Sequence, residues 1–322
     1  GSAYGPLPTP ARAGYTFKTW KTQAGTLVTA ATLVTTAADH TLYAEWTAKT
    51  CIVTFDVQGG TPLVVATNYV MFGSAYGTLP TPVRMGYTFK GWWTEKEGGG
   101  KQVVETTLVE RADNHSLYAK WSANSFKVTF DAQGGVTPEP AWKSVTNGLV
   151  YGTLPIPVRT GYTFRGWWTE KEGRGTQVNA ATEVSATSDH TLFAKWSAKI
   201  STVTFDAQGG TSPMATNHVT FGLAYGALPV PVRTGFNFVG WWTLAGGAGT
   251  QVFATTIVSA TTSHTLYAKW AARSYTVTFD AQGGMATVPA AKSVTNGLAY
   301  GTLPTPVKAG YAFKGWWTKA GG

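Results

Sequence analysis

The chain has 322 residues, a formal net charge of +9, one cysteine and only 13% charged side chains, beside 14 Trp, 14 Tyr, 15 Phe and 38 Gly. The lone Cys51 excludes an internal disulfide framework, and no apolar run approaches the roughly 20 residues that cross a bilayer as a helix. Few charges with abundant Gly, Thr, Ala and Val exclude a disordered or helix-rich chain and favour β-structure with many turns.

The phrase Tyr-Gly-x-Leu-Pro begins at Tyr4 and returns at Tyr76, Tyr151, Tyr225 and Tyr300. Thr-Phe-Asp-x-Gln-Gly-Gly places its aromatic at Phe55, Phe130, Phe205 and Phe279, and Leu-Tyr/Phe-Ala-Lys/Glu-Trp ends at Trp46, Trp121, Trp196 and Trp270. A common step of about 75 residues marks a tandem array. Repeat 1 spans residues 1–46 and lacks its first strand, repeat 2 spans 51–121, repeat 3 spans 126–196 and repeat 4 spans 201–270. Repeat 5 spans 275–322 and lacks its closing strand. A unit of this size buries only a marginal core, so its aromatics must supply much of the buried area.

Repeat 3 shows the elements in order. Lys127–Asp131 alternates polar and apolar, which predicts a strand with Val128 and Phe130 on one face. Gln133-Gly134-Gly135 predicts a turn, Lys143–Thr146 a second strand, and Asn147-Gly148 a further turn. Leu154-Pro155-Ile156-Pro157 lacks two backbone donors and must be a loop or an edge. Tyr162–Trp168 predicts a third strand. Repeat 1 has Trp20 followed by Lys21 where repeat 3 has Trp167-Trp168. Lysine is rarely buried alone, so the first Trp belongs to the core and the second lies near the surface. That arrangement requires a bulge near Gly166. Thr176–Val178 predicts a short strand, Ala180–Asp189 a possible site of one helical turn, and Leu192–Trp196 the closing strand. Only six residues separate Trp121 from Val128, which restricts pivoting between repeats. Compactness scaling makes each unit about 30 Å across, and end-to-end stacking predicts an array on the order of 100–150 Å long.

Chemistry-bearing residues are spread one per unit. His40, His115, His190 and His264 precede the closing strands and read as solvated turn residues, because a metal centre needs several converging ligands. Asp56, Asp131, Asp206 and Asp280 read as turn caps rather than calcium ligands. Glu95-Lys96-Glu97 and Glu170-Lys171-Glu172 flank Gly-rich turns and read as solvated, not as an acid–base pair. No Gly-x-Ser-x-Gly, Cys–His pairing or phosphate loop occurs. The strongest surface candidates are Trp93, Trp168, Trp242 and Trp317, with Lys90, Arg165 and Lys314 close by on the same strands. Such aromatics can stack on sugars or bases. They can equally pack against a neighbouring unit or under a lysine stem.

Val128-Thr129-Phe130-Asp131, Gly161-Tyr162-Thr163-Phe164-Arg165-Gly166-Trp167 and Leu192-Phe193-Ala194-Lys195-Trp196 together resemble the Listeria–Bacteroides repeat, also called the internalin B-repeat family. The resemblance covers nearly the whole chain. It implies small α+β, β-grasp-like modules, mainly β, in a linear tandem array. It also implies a stalk or adhesion role in large bacterial surface or secreted proteins, and it carries over no catalytic residues. The stretch Asn179-Ala180-Ala181-Thr182 departs from the family pattern, where an aromatic and an acidic residue are usual.

Sequence thus predicts a non-enzymatic, extracellular spacer without cofactor or metal. The alternative is a multivalent module for anionic glycans or cell-wall polymers. Neither specific nucleic-acid binding nor membrane insertion of this segment is expected. The missing Met and the half repeats at each end read as a segment of a longer protein. The other reading of those halves is head-to-tail completion between neighbouring chains.

Overall fold

The computed structural model describes residues 1–320. Repeats 2 and 4 show the module most fully. In repeat 2 a leading strand, Thr50–Asp56, pairs antiparallel with a return strand, Thr67–Met71, and parallel with the closing strand, His115–Ala123. The closing strand also pairs antiparallel with an aromatic strand, Tyr87–Trp93, whose far edge takes the short strand Gln102–Val103. The sheet order is return, leading, closing, aromatic, short. Repeat 4 builds the same mixed sheet from Ile200–Asp206, Thr216–Thr220, Phe236–Trp242, Gln251–Val252 and His264–Ala272.

Repeat 3 has its leading hairpin, Ser125–Asp131 with Trp142–Thr146, and an aromatic strand, Tyr162–Trp168, paired with residues 193–198 of its closing strand His190–Ala198. Repeat 1 places Tyr15–Lys21 between Leu27–Val28 and Tyr43–Ala48. Among its described residues repeat 5 pairs strands only in the hairpin Ser274–Thr278 with Ala291–Thr295, and residues 311–317 form no strand.

The chain is therefore mainly β, but the α part of the expected α+β modules is missing: no α-helix occurs among the described residues. Three single turns of 3-10 helix stand instead in the Gly-rich loops, at Lys96–Gly98, Lys171–Gly173 and Ala245–Gly247. The helical turn expected within Ala180–Asp189 is also absent. Its backbone is committed elsewhere: Tyr151 N–H donates to Thr182 O (2.9 Å), Gly152 N–H to Ala180 O (2.9 Å) and Val184 N–H to Leu149 O (2.8 Å). Carbonyls engaged by a distant segment are not available for the i→i+4 bonds of a helix.

The expected bulge is present. In repeat 2 the register slips between Phe89 and Trp92, and in repeat 3 between Phe164 and Trp167. The slip turns the first Trp inward, so Trp92, Trp167 and Trp241 are almost fully buried. In repeat 2 the Trp92 ring centroid lies 4.9 Å from Phe55 and 5.5 Å from Phe89, beside Val53, Leu117 and Ala119. Its indole N–H donates to Pro80 O at 2.7 Å, which pins the Pro-rich loop over the core. Trp20, Trp241 and Trp316 hold Pro8, Pro229 and Pro304 in the same way.

Adjacent repeats join through a single residue. The closing strand ends at Ala48 or Ala123, and the next leading strand begins at Thr50 or Ser125. The residue between them bonds in both directions. Lys49 N–H donates to Gly14 O and Lys49 O accepts from Phe72 N–H, both at 2.9 Å. Asn124 joins Gly86 to Asn147 (2.9 and 3.0 Å), Lys199 joins Gly161 to Phe221 (2.9 and 2.9 Å), and Arg273 joins Gly235 to Asn296 (2.9 and 2.8 Å). At each junction the third residue lies flat against the glycine. A Cβ on Gly14 would stand 2.3 Å from the Phe72 ring, and one on Gly86 would stand 2.4 Å from the Asn147 side chain.

By contact density the chain falls into two compact units, and the division runs through repeat 3 rather than between repeats. The first holds Gly1–Asp131, Glu139–Pro155 and Gly175–Leu192, and includes the Lys49 and Asn124 junctions. The second holds Ala132–Pro138, Ile156–Arg174 and residues from Phe193 onward, and includes the Lys199 and Arg273 junctions.

The junction glycines provide a test. Gly14 and Gly77 both have positive φ, +80° and +74°, but nothing lies within 4 Å of a Cβ on Gly77. Gly77→Ala should cost only the left-handed backbone strain, about 1–2 kcal/mol. Gly14→Ala should cost a further ~1–3 kcal/mol of overpacking against Phe72. Urea unfolding of the two variants reads the difference; equal losses would mean the Phe72 contact does not hold the junction.

Candidate functional site: a lysine-capped tryptophan face

The bulge that buries the first Trp sends the second to the opposite face of the sheet. There Trp93 stands directly across from Tyr118, Trp168 from Phe193 and Trp242 from Tyr267. A lysine of the closing strand lies over each of these rings. Lys120 Nζ is 4.5 Å from the Trp93 centroid, Lys195 Nζ is 4.6 Å from Trp168 and Lys269 Nζ is 4.5 Å from Trp242. Such contacts contribute roughly 0.5–1 kcal/mol at exposed sites.

Glycine in the 3-10 turn closes the arrangement from the other side. A Cβ on Gly98 would come within 2.3 Å of Lys120 Cδ, and the same holds for Gly173 with Lys195. The lysine stem is thus clamped between turn and indole. The clamp leaves one donor unmet, because the Trp93, Trp168 and Trp242 indole N–H groups are shielded from solvent and have no acceptor.

Repeat 1 builds the same place from different chemistry. Lys21 replaces the second Trp and Glu45 replaces the lysine, and the two form an ion pair at 3.0 Å. Lys18, the counterpart of Lys90 and Arg165, reaches the same carboxylate oxygen at 3.4 Å. The Lys21 hydrogen bond, with the charges of Lys18 and Lys21, holds the Glu45 carboxyl below its ordinary value.

The sequence-level candidates therefore separate. Trp93, Trp168 and Trp242 sit under lysine stems, and Lys90 and Arg165 stand exposed on the same strands as Trp93 and Trp168. Trp317 and Lys314 do not assemble this way: Trp317 is 67% exposed, and both line an open cleft of about 780 Å³. That cleft lies against Thr278 and Asp280 of the leading segment, where repeats 2 and 4 have a closing strand.

The histidines need correcting. In repeats 2 to 4 they are one half of a recurring latch rather than solvated turn residues, whereas His40 stays exposed as expected. Tyr76 Oη meets His115 Nε2 at 2.7 Å, Tyr151 meets His190 at 2.7 Å and Tyr225 meets His264 at 2.6 Å; Tyr4 contacts His40 in the same way. His115 Nδ1 lies 2.9 Å from Asp113 O, which only a protonated nitrogen can satisfy. His115 is 8% exposed. Tyr and His lie 39 residues apart in repeats 2 to 4 and 36 apart in repeat 1, a regularity that reports the repeat period and not the contact. Burial of the phenols pushes the Tyr76, Tyr151 and Tyr225 pKa values up.

The aspartates do cap turns. Asp56 and Asp206 accept from the Gln58 and Gln208 N–H at 3.0 and 2.8 Å. Desolvation pushes the Asp56 carboxyl up, but the Gln58 hydrogen bonds outweigh it and hold the group below its usual value. Those glutamines have φ of +47°, a left-handed conformation that the aspartate bond stabilises. Trp121 and Trp270 complete the turn by donating to Val57 O and Ala207 O. Arg84 and Arg233 bond Gln58 O and Gln208 O at 3.1 Å while lying over Tyr87 and Phe236. Among the described residues no three His, Cys, Asp or Glu side chains converge on a common point.

Comparison with known proteins agrees with the repeat architecture. The Listeria-Bacteroides repeat domain matches five segments, residues 1–45, 52–120, 126–195, 202–269 and 275–322. A Gly-rich membrane protein of Evansella cellulosilytica is 32% identical over 247 residues, covering 73% of this chain and 28% of the relative. A second membrane protein of that organism is 27% identical over 289 residues, 88% of this chain and 41% of the relative. Internalin H of Listeria monocytogenes is 35% identical over 144 residues, 44% of this chain and 24% of the relative. The chain thus spans well under half the length of each. These names fit a surface repeat protein and indicate no enzyme family. No helix among the described residues is long and apolar enough to cross a membrane.

The buried phenols predict an alkaline limit. A tyrosine is neutral when protonated, and here its folded pKa lies above the ordinary value of 10. Its contribution to stability is complete below pH 10 and is lost as pH rises through the raised folded values. Thermal unfolding followed from pH 8 upward should show that fall. Tyr76→Phe should blunt it while costing about 1 kcal/mol at neutral pH, because His115 Nε2 loses its hydrogen-bond partner. An unchanged alkaline limb in the variant would show that Tyr76 does not contribute to it.

Proposed function

The chain belongs to the Listeria-Bacteroides repeat family along almost its whole length, and on that premise we propose that it is a non-enzymatic spacer, part of the stalk of a bacterial cell-surface or secreted adhesin. The one-residue junction carries this reading. A flexible linker would leave its peptide groups to water, whereas here the connecting residue has both its N–H and its C=O bonded, one to each neighbouring repeat. Stability in such an array is a sum of repeat and interface contributions, so the same bonds that resist bending also stabilise each unit against local opening. An extended module that holds another domain away from its cell needs this continuity and needs no reaction centre.

Spin labels test the stiffness directly. With Cys51→Ser, the residue repeat 4 carries there as Ser201, labels at the exposed Thr16→Cys and Thr106→Cys positions span the Lys49 junction. The spacer reading expects a single narrow distance distribution by pulsed dipolar spectroscopy. Insertion of Gly-Ser-Gly-Ser after Lys49 should broaden it. A broad distribution in the parent chain would contradict the reading.

A further inference from the structure

We propose that the bulge of repeat 2 is an anion cradle, in which Lys90 and Lys120 together hold a carboxylate or sulfate of an acidic polysaccharide. Lys120 lies between Trp121, which faces Phe89, and Ala119, which faces Trp92, so it stands opposite the bulged pair Lys90-Gly91. Repeat 1 shows that side chains at these two positions meet. There Lys18 and Glu45 occupy them, 3.4 Å apart, and the glutamate supplies the anion from within the chain.

Repeat 2 replaces that acid with a second cation. Among the described residues neither Lys90 nor Lys120 forms an ion pair. Two like charges carried at one bulge repel, and a bound anion relieves the repulsion. Lys120 is also prepared for the task. Its stem is immobilised between Gly98 and the Trp93 ring, so the entropy of ordering that side chain is spent before a ligand arrives.

The same geometry revises the role of the tryptophan. Lys120 covers a face of Trp93, so this indole supports the lysine rather than offering that face to a sugar or a base. Nucleic acid is disfavoured on the same ground, since single strands bind through open stacking platforms beside a continuous basic track. An acidic polysaccharide needs only spaced cationic points. Repeat 3 carries the same residue types, Arg165, Trp168 and Lys195, at the matching positions, but Arg165 already has a partner there. Repeat 4 has Val239 in place of the first cation, and repeat 1 is already filled by Glu45. The cradle therefore belongs to repeat 2, and it stands or falls independently of the spacer reading.

Calorimetric titration of the full chain with a heparin oligosaccharide at low salt tests the proposal. Lys120→Glu places the repeat 1 acid opposite Lys90 and should weaken binding by about tenfold or more, with a shallower dependence on salt. Lys90→Gln, at an exposed position, should weaken it similarly and guards against a folding defect in the first variant. Lys101→Gln, at an exposed lysine paired with Glu110, should leave affinity within about twofold. The proposal is overturned by absence of binding, by unchanged affinity in both cradle variants, or by polyphosphate or single-stranded DNA binding as tightly as the oligosaccharide.

Discussion

Two backbone hydrogen bonds on one residue set the character of this chain. Lys49, Asn124, Lys199 and Arg273 differ in charge and size, yet each donates to a glycine carbonyl behind it and accepts from an amide ahead. Because the bonds are made by the backbone, the side chain at the link is free to vary. What cannot vary freely is the glycine, whose bare Cα lets Phe72, Asn147, Phe221 or Asn296 lie against it. The odd junctions add an edge-on ring contact, Tyr15 with Phe72 at 5.5 Å and Tyr162 with Phe221 at 5.7 Å. The even junctions add side-chain bonds instead, Thr88 to Asn124 at 2.6 Å and Arg273 to Asn237 at 2.7 Å. Two chemistries thus serve one backbone geometry.

Within a repeat the corresponding constraint is the bulge before the paired tryptophans. It sends one indole into the core, where it anchors the Pro-rich loop, and the other to the outer face, where it supports a lysine. The exchange of Trp and Lys for Lys and Glu in repeat 1 keeps a cross-strand contact while changing its nature from cation over ring to ion pair. Diagonal cross-strand pairs of either kind contribute only modestly. Their value lies in fixing which groups face solvent beside the bulge.

Much of this was legible from residue order alone. The period gave the repeats, alternation gave the strands, and Lys21 against Trp168 located the bulge and the inward Trp. Two features were not legible, for physical reasons. Helical potential in Ala180–Asp189 was overridden by backbone bonds to the Gly148–Gly152 segment, a long-range pairing that local propensity does not encode. The histidines looked solvated because a polar residue in a turn usually is. Their burial in repeats 2 to 4 depends on a tyrosine hydroxyl 39 residues away. The surface candidates were half legible: position and exposure could be read, but not that a closing-strand lysine would cover the ring.

Amide hydrogen exchange at the junctions tests the account most directly. The N–H groups of Lys49 and Phe72, and of Asn124 and Asn147, should exchange as slowly as those of the leading strands they adjoin. Exchange of these four amides at open-loop rates, beneath well-protected repeat cores, would show independent beads on loose links and contradict a continuous chain of sheets.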